Sequence, residues 1–102
     1  MNKLELIYQH IAGHQDAAYG PAQRLLKLAE EVGEVSEAYI GYTGANKRKG
    51  HTHSREDILN ELCDVIITAF VAMHDWTLGE ISEDYFQDRL NIVYERVLRE
   101  GS

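Results

Sequence analysis

The chain has 102 residues, of which 44% are hydrophobic and 26% charged, a balance typical of one soluble globular domain. Its formal net charge of −7 excludes a generic binder of nucleic acid or of anionic membranes. The single cysteine, Cys63, excludes an intrachain disulfide, and its apolar neighbours predict a small core residue. We expect one domain over residues 1–102, with no signal peptide or transmembrane helix, in the cytoplasm.

The first part of the chain predicts two helices. Apolar residues at helical spacing predict a short first helix, ending near Gly13: Leu4, Ile7, Tyr8 and Ile11. The polar segment 14–20 predicts a loop, and Pro21 suits a first helical turn because its missing N–H would be unpaired there. The same spacing continues through a second helix: Leu25, Leu28, Ala29, Val32, Val35 and Tyr39. Gly41 and Gly44 are its natural stops.

A polar, basic loop is predicted over residues 42–54, followed by a third helix. Ser54 and Asp57 have the spacing of a capping box, which places the start of that helix near residue 55 and its end near residue 74. This helix is apolar on nearly all sides, and such helices are buried on several sides. In so short a chain, the pattern predicts packing against a second subunit as well as against the chain itself.

The last part of the chain predicts a fourth helix. Gly79 interrupts the apolar pattern, and Ser82 has the character of a helix start, with acidic residues behind it at the positive end of the helix dipole. The predicted buried positions of this helix share helical spacing: Tyr85, Phe86, Leu90, Val93, Tyr94 and Val97. The sequence therefore predicts an all-α fold with four helices in one domain.

Two pairs of acidic residues point to a metal site. Glu31 and Glu34 lie on one face of the second helix, and Glu61 and Asp64 lie on one face of the third, where their surroundings are apolar. Burying a carboxylate is costly unless a cation or a proton compensates it. The ligands are all hard oxygens, which favours Mg²⁺ or Mn²⁺ over zinc or copper. A di-iron centre is disfavoured because Glu-x-x-His pairs are missing.

These acidic residues resemble the two motifs of the MazG-like all-α nucleotide pyrophosphohydrolases, Glu-Glu-x-x-Glu and then Glu-x-x-Asp on the following helix. Residues 30–34 read Glu-Glu-Val-Gly-Glu, and residues 61–64 read Glu-Leu-Cys-Asp, with 26 residues between the two motifs. The basic loop at 46–54 is also similar to that of short, single-domain members. The resemblance covers about half of the chain well, residues 27–73, and implies a four-helix MazG-like bundle completed by dimerisation.

The resemblance implies hydrolysis of a nucleoside triphosphate between its α and β phosphates, giving a monophosphate and pyrophosphate. By position, Glu31, Glu34, Glu61 and Asp64 would hold Mg²⁺, for which Mn²⁺ can substitute. The metal ions would clamp the phosphate oxygens and activate a water molecule, and Glu30 would accept its proton. The implied partners are the nucleotide and further copies of the chain, as a dimer or tetramer, but neither nucleic acid nor membrane.

The basic loop predicts a phosphate-binding surface. Lys47, Arg48, Lys49 and Arg55 are predicted to bind the triphosphate and to neutralise charge on the leaving pyrophosphate. A flexible, solvated loop is the competing interpretation of these four residues. Trp76 is interpreted as a core residue at a helix end rather than as a platform for a nucleobase.

Other interpretations of the acidic residues stay open. Acidic residues three apart arise by chance on any acidic helix, as at Glu80 and Glu83, and Glu37 is interpreted as a solvated surface residue. Lys27 stands four residues before Glu31, which predicts an ion pair. The alternative functions are a non-catalytic helical oligomer that binds nucleotide or docks a partner protein, and a purely structural helical dimer.

Overall fold

The computed structural model describes residues 2–14 and 20–101, and within these ranges the chain forms helices and no strand. The helices are α1 Lys3–His14, α2 Pro21–Thr43, α3 Arg55–Met73 and α4 Ser82–Glu100. The all-α prediction with four helices is confirmed. Of the loop predicted at 14–20, residues 15–19 lie outside the described residues. Residue 14 belongs to α1.

The end of α2 differs from the prediction at one of its two glycines. Pro21 occupies the first helical position as predicted, but the helix continues through Gly41. It is capped by Gly44, whose left-handed backbone has φ 70° and whose N–H donates to the carbonyl of Ile40 at 3.1 Å. Gly41 instead has a helical backbone and is buried, because residues of the following loop pack against it.

Serine side chains at the starts of α3 and α4 have different roles, and only Ser54 caps its helix, since Ile81 is the N-cap residue of α4. The Ser54 hydroxyl accepts from the N–H of Asp57 at 3.1 Å, and the N–H of Ser54 donates to the Asp57 carboxylate at 2.8 Å, which confirms the capping box. These hydrogen bonds lower the pKa of Asp57. Ser82 is the first residue of α4, and its buried hydroxyl donates to the carbonyl of Phe70 at 3.1 Å, which ties α4 to α3.

The helices form an open arrangement around α3, which contacts all three others. Within the described ranges, Ala38, Val71 and Ala72 are the apolar residues that are fully buried. The radius of gyration is 17.0 Å, whereas a compact chain of this length has about 13 Å. Among the described helices α4 contacts only α3, and much apolar surface stays uncovered.

Several sequence predictions of burial are wrong for the single chain. The apolar positions of α4 are exposed, except for the half-buried Val93: Tyr85, Phe86, Leu90, Tyr94 and Val97. Cys63 is exposed, and Trp76 is 61% exposed. Periodicity shows which residues share a face, but it does not show what covers that face. None of the described helices is long and apolar enough to span a bilayer.

Candidate metal centre

Three carboxylates meet where α2 faces α3. One carboxylate oxygen from each of Glu31, Glu34 and Glu61 lies within 4.8 Å of the others. The Glu31 side chain is 12% exposed, and Glu61 is half-buried. Oxygen Oε2 of Glu61 is buried and has no hydrogen-bond partner within residues 2–14 and 20–101. A buried, unpaired carboxylate oxygen is costly, and hard cations take such oxygens as ligands, so these residues fit Mg²⁺.

The structure leaves two predicted site residues outside this carboxylate cluster. Asp64 is exposed and does not belong to it, although it follows Glu61 at the same spacing that separates Glu34 from Glu31. Glu30 is exposed and accepts a hydrogen bond from Lys27 at 3.3 Å. This hydrogen bond raises the pKa of Lys27. The Lys27 ammonium is also 3.5 Å from a Glu31 oxygen, so the predicted ion pair is confirmed.

A cavity of about 340 Å³ opens beside the cluster, towards the start of α2. Most of its wall surface is apolar, although four of the seven residues that line it are polar or charged: Ile11, Arg24, Lys27, Glu31, Ile67, Thr68 and Val71. Its volume lies within the range of sites for small organic ligands, and its composition is typical of them. Because Glu31 belongs to both the cavity and the carboxylate cluster, a ligand held here would lie next to the candidate metal ligands.

A polar network joins Arg24, in the wall of this cavity, to residues of α1 and of the segment at the end of α3. Arg24 Nε lies 2.8 Å from an Asp75 oxygen, with both side chains nearly buried. The Tyr8 hydroxyl donates to the other Asp75 oxygen at 2.9 Å, which raises the pKa of Tyr8. The Tyr8 ring stacks on His74 with centroids 4.6 Å apart and lies 5.0 Å from the Arg24 guanidinium. Sequence reasoning missed this network, although Arg24 shares a helix face with Lys27.

The basic loop folds back onto the second half of α2. The N–H of Thr52 donates to the carbonyl of Gly41 at 2.9 Å, and His51 Nδ1 lies 2.8 Å from the carbonyl oxygen of Tyr42. A second cavity, of about 240 Å³, lies between this loop and α2: Glu37, Ile40, Gly41, Asn46, Lys49, Gly50, Thr52 and His53. The loop is therefore docked on the helix along at least part of its length.

The predicted phosphate-binding residues are divided between different surroundings. Lys49 lines the second cavity. Lys47 and Arg48 are exposed elsewhere in the loop, and Arg55 is exposed as the first residue of α3. The structure thus brings one of the four to a formed cavity. It also adds polar neighbours that the charge pattern could not indicate, because their positions depend on how the loop packs.

Comparison of the chain with protein-family models, with curated proteins and with solved structures finds no match. A function for the chain therefore has to be inferred from its own geometry and from the two acidic motifs. The geometry consists of a carboxylate cluster flanked by two cavities, one mostly apolar and one bordered by a basic loop.

Proposed function

We propose that the chain is a Mg²⁺-dependent nucleoside triphosphate pyrophosphohydrolase, which cleaves a ribo- or deoxyribonucleoside triphosphate to the monophosphate and pyrophosphate. The proposal depends above all on Glu61, whose carboxylate lies close to those of Glu31 and Glu34 and whose oxygen Oε2 is buried with no hydrogen-bond partner among the described residues. A divalent cation would neutralise these charges and take the unpaired oxygen as a ligand. The MazG-like spacing of the acidic motifs supplies the reaction class.

In this proposal, Glu31, Glu34 and Glu61 would hold Mg²⁺, for which Mn²⁺ can substitute, and Asp64, which lies outside the cluster in the single chain, would be a further ligand. The bound metal would neutralise phosphate charge and lower the pKa of a water molecule. Glu30 would first release its hydrogen bond with Lys27 and would then accept the proton of the attacking water. The apolar cavity beside Glu31 provides room for the nucleoside.

The basic residues near the start of α3 contribute positive charge as negative charge develops on the leaving group. We assign this role to Lys47, Arg48, Lys49 and Arg55. We also propose that the four-helix MazG-like bundle is completed by dimerisation, which the uncovered apolar surface of α3 and α4 supports. Such an enzyme would act on free nucleotides in the cytoplasm.

The test is pyrophosphate release from a panel of ribo- and deoxyribonucleoside triphosphates in the presence of Mg²⁺. We expect turnover of at least one nucleotide, and a loss of about 100-fold or more in Glu61→Gln, because the amide nearly preserves the shape but removes the charge. Glu95→Gln, at an exposed position of α4, is the matched control and should retain activity. Absence of turnover with every nucleotide, or full activity of Glu61→Gln, would contradict the proposal.

A non-catalytic helical oligomer that binds nucleotide or docks a partner protein is the second candidate. The large exposed apolar side chains of α3 and α4 favour it, because extended apolar surface commonly marks an interaction site. This function predicts a calorimetric binding signal with nucleotide or partner and no pyrophosphate product, so the two measurements together separate the candidates.

A further inference from the structure

We infer that the cavity between α2 and the basic loop is a site for pyrophosphate carrying a bound Mg²⁺ ion. Lys49, Thr52 and His53 would bind the phosphate oxygens, while Glu37 would face the metal ion of the ligand. The inference rests on the proposed function, because pyrophosphate is the leaving group of that reaction. It adds Glu37, Thr52 and His53, which the charge pattern of the loop does not identify.

The position of the cavity relative to the carboxylate cluster supports this inference. Glu34, Glu37 and Gly41 lie on one face of α2, at i, i+3 and i+7. At 1.5 Å of rise per residue, Gly41 is about 10 Å beyond Glu34 along the helix axis. The apolar cavity lies on the other side of the cluster, next to Glu31. A nucleotide with its α-phosphate at the cluster thus has one cavity at each end, and the cavity beyond Glu34 is the one bordered by the basic loop.

The lining of the loop cavity provides hydrogen-bond donors of the kind that bind phosphate. Lys49 carries a flexible ammonium group, and Asn46 carries an amide. The Thr52 hydroxyl lies 2.9 Å from His53 Nδ1. When this hydroxyl donates to Nδ1, the proton of the imidazole is on Nε2, which is then able to donate to a ligand. Two neighbouring residues are therefore oriented by each other rather than left free to rotate.

The carboxylate of Glu37 determines which form of pyrophosphate fits. Glu37 lines the same cavity as Lys49, yet the two side chains do not form an ion pair in the described structure. A carboxylate repels a bare polyanion, and a divalent cation carried by that anion converts the repulsion into attraction. The cavity should therefore discriminate in favour of the magnesium complex.

Two glycines of α2 and its cap allow the loop to pack this closely. A Cβ atom at residue 41 would overlap the His53 ring. A Cβ atom at residue 44 would come within 2.8 Å of the His51 ring. Because both positions lack a side chain, the two histidines rest directly against the end of α2, and His53 forms part of the cavity wall.

The experiment is calorimetric titration of the full-length protein with inorganic pyrophosphate, with and without Mg²⁺. We expect binding that requires Mg²⁺ and that weakens about tenfold in Lys49→Gln and in His53→Ala. Glu37→Gln should bind bare pyrophosphate more tightly than the wild type does. Lys3→Gln, an exposed lysine on α1, is the matched control and should not change the affinity.

Unchanged affinity in both Lys49→Gln and His53→Ala would overturn the inference, and so would an unchanged Mg²⁺ requirement in Glu37→Gln. Lys49 is exposed, so its replacement keeps the test valid even where the His53 variant unfolds. If nucleotide turnover depends on Glu61 but pyrophosphate binding does not depend on Lys49, the inferred pyrophosphate site is wrong and the proposed enzyme is not contradicted. Pyrophosphate binding as expected without turnover of any nucleotide would contradict the proposed enzyme and leave the anion site in place.

Discussion

At the scale of single residues, the Glu61 carboxylate carries a cost that no hydrogen bond within the described chain offsets. The neighbouring carboxylates of Glu31 and Glu34 add electrostatic repulsion, which the exposed cation of Lys27 reduces only in part. A side chain in this situation destabilises the metal-free fold. The loss of stability is small if a bound cation offsets the desolvation of the carboxylate and its repulsion by the other two.

This argument predicts opposite effects of Glu61→Gln with and without metal. The variant should melt at a higher temperature than the wild type in metal-free buffer, because carboxylate repulsion is reduced. Mg²⁺ should raise the melting temperature of the wild type, by the equivalent of about 2.7 kcal/mol at a hundred times the dissociation constant, but not that of the variant. Thermal melts with and without Mg²⁺ measure both effects. Equal responses of the two proteins to Mg²⁺ would argue against the site.

At the scale of the helices, the start of α3 is specified by local chemistry. The reciprocal hydrogen bonds between Ser54 and Asp57 join residues only three apart, so they do not depend on the packing of distant parts of the chain. They lower the pKa of Asp57 in the folded state. The stabilisation is therefore present above the ordinary pKa of aspartate, about 3.9, and is lost as the pH falls through the lower folded-state value.

Asp57→Asn should lower the melting temperature at neutral pH, and the difference from the wild type should shrink as the pH falls below about 4. Melting curves of both proteins across this pH range measure the effect. Asp88→Asn, at an exposed position within α4, serves as the control for a general change of charge. A difference that does not depend on pH would mean that the carboxylate is not the stabilising group.

At the scale of the whole molecule, the single chain is open and buries few apolar residues, so its own core provides little of the stabilisation that folding requires. Its radius of gyration is 17.0 Å, and one face of α3 exposes Leu59, Leu62 and Ile66. Leaving such a stripe in water forfeits about 25 cal/mol for each Å² of apolar surface that a partner would cover. A second copy of the chain is the partner that is always present.

The expected state in solution is therefore a dimer or a tetramer, which sedimentation equilibrium measures directly. The double variant Leu62→Glu and Ile66→Glu, at side chains 43% and 56% exposed in the single chain, should shift the protein towards monomer, since a charge at a buried contact is costly. Leu78→Glu is the control, because that side chain is 99% exposed in a loop. A monomeric wild type would contradict the expectation.

Features that depend on neighbours in the chain were readable from the sequence. The four helices, the capping box of Ser54, the glycine cap of α2 at residue 44 and the ion pair of Lys27 with Glu31 all follow from contacts over a few residues. The acidic motifs also identified three residues that meet in the structure, because their spacing places them on the facing sides of two consecutive helices.

Only the tertiary structure decided how those elements meet. The rotation of α3 against α2 brings Glu61 into the cluster and leaves Asp64 at the surface, and the loop packs on Gly41, which the sequence alone marks as a helix stop. The network around Arg24 joins parts of the chain that are far apart in sequence. Helical period determines a face within a few residues, whereas the partner of that face depends on long-range packing, which a local pattern does not contain.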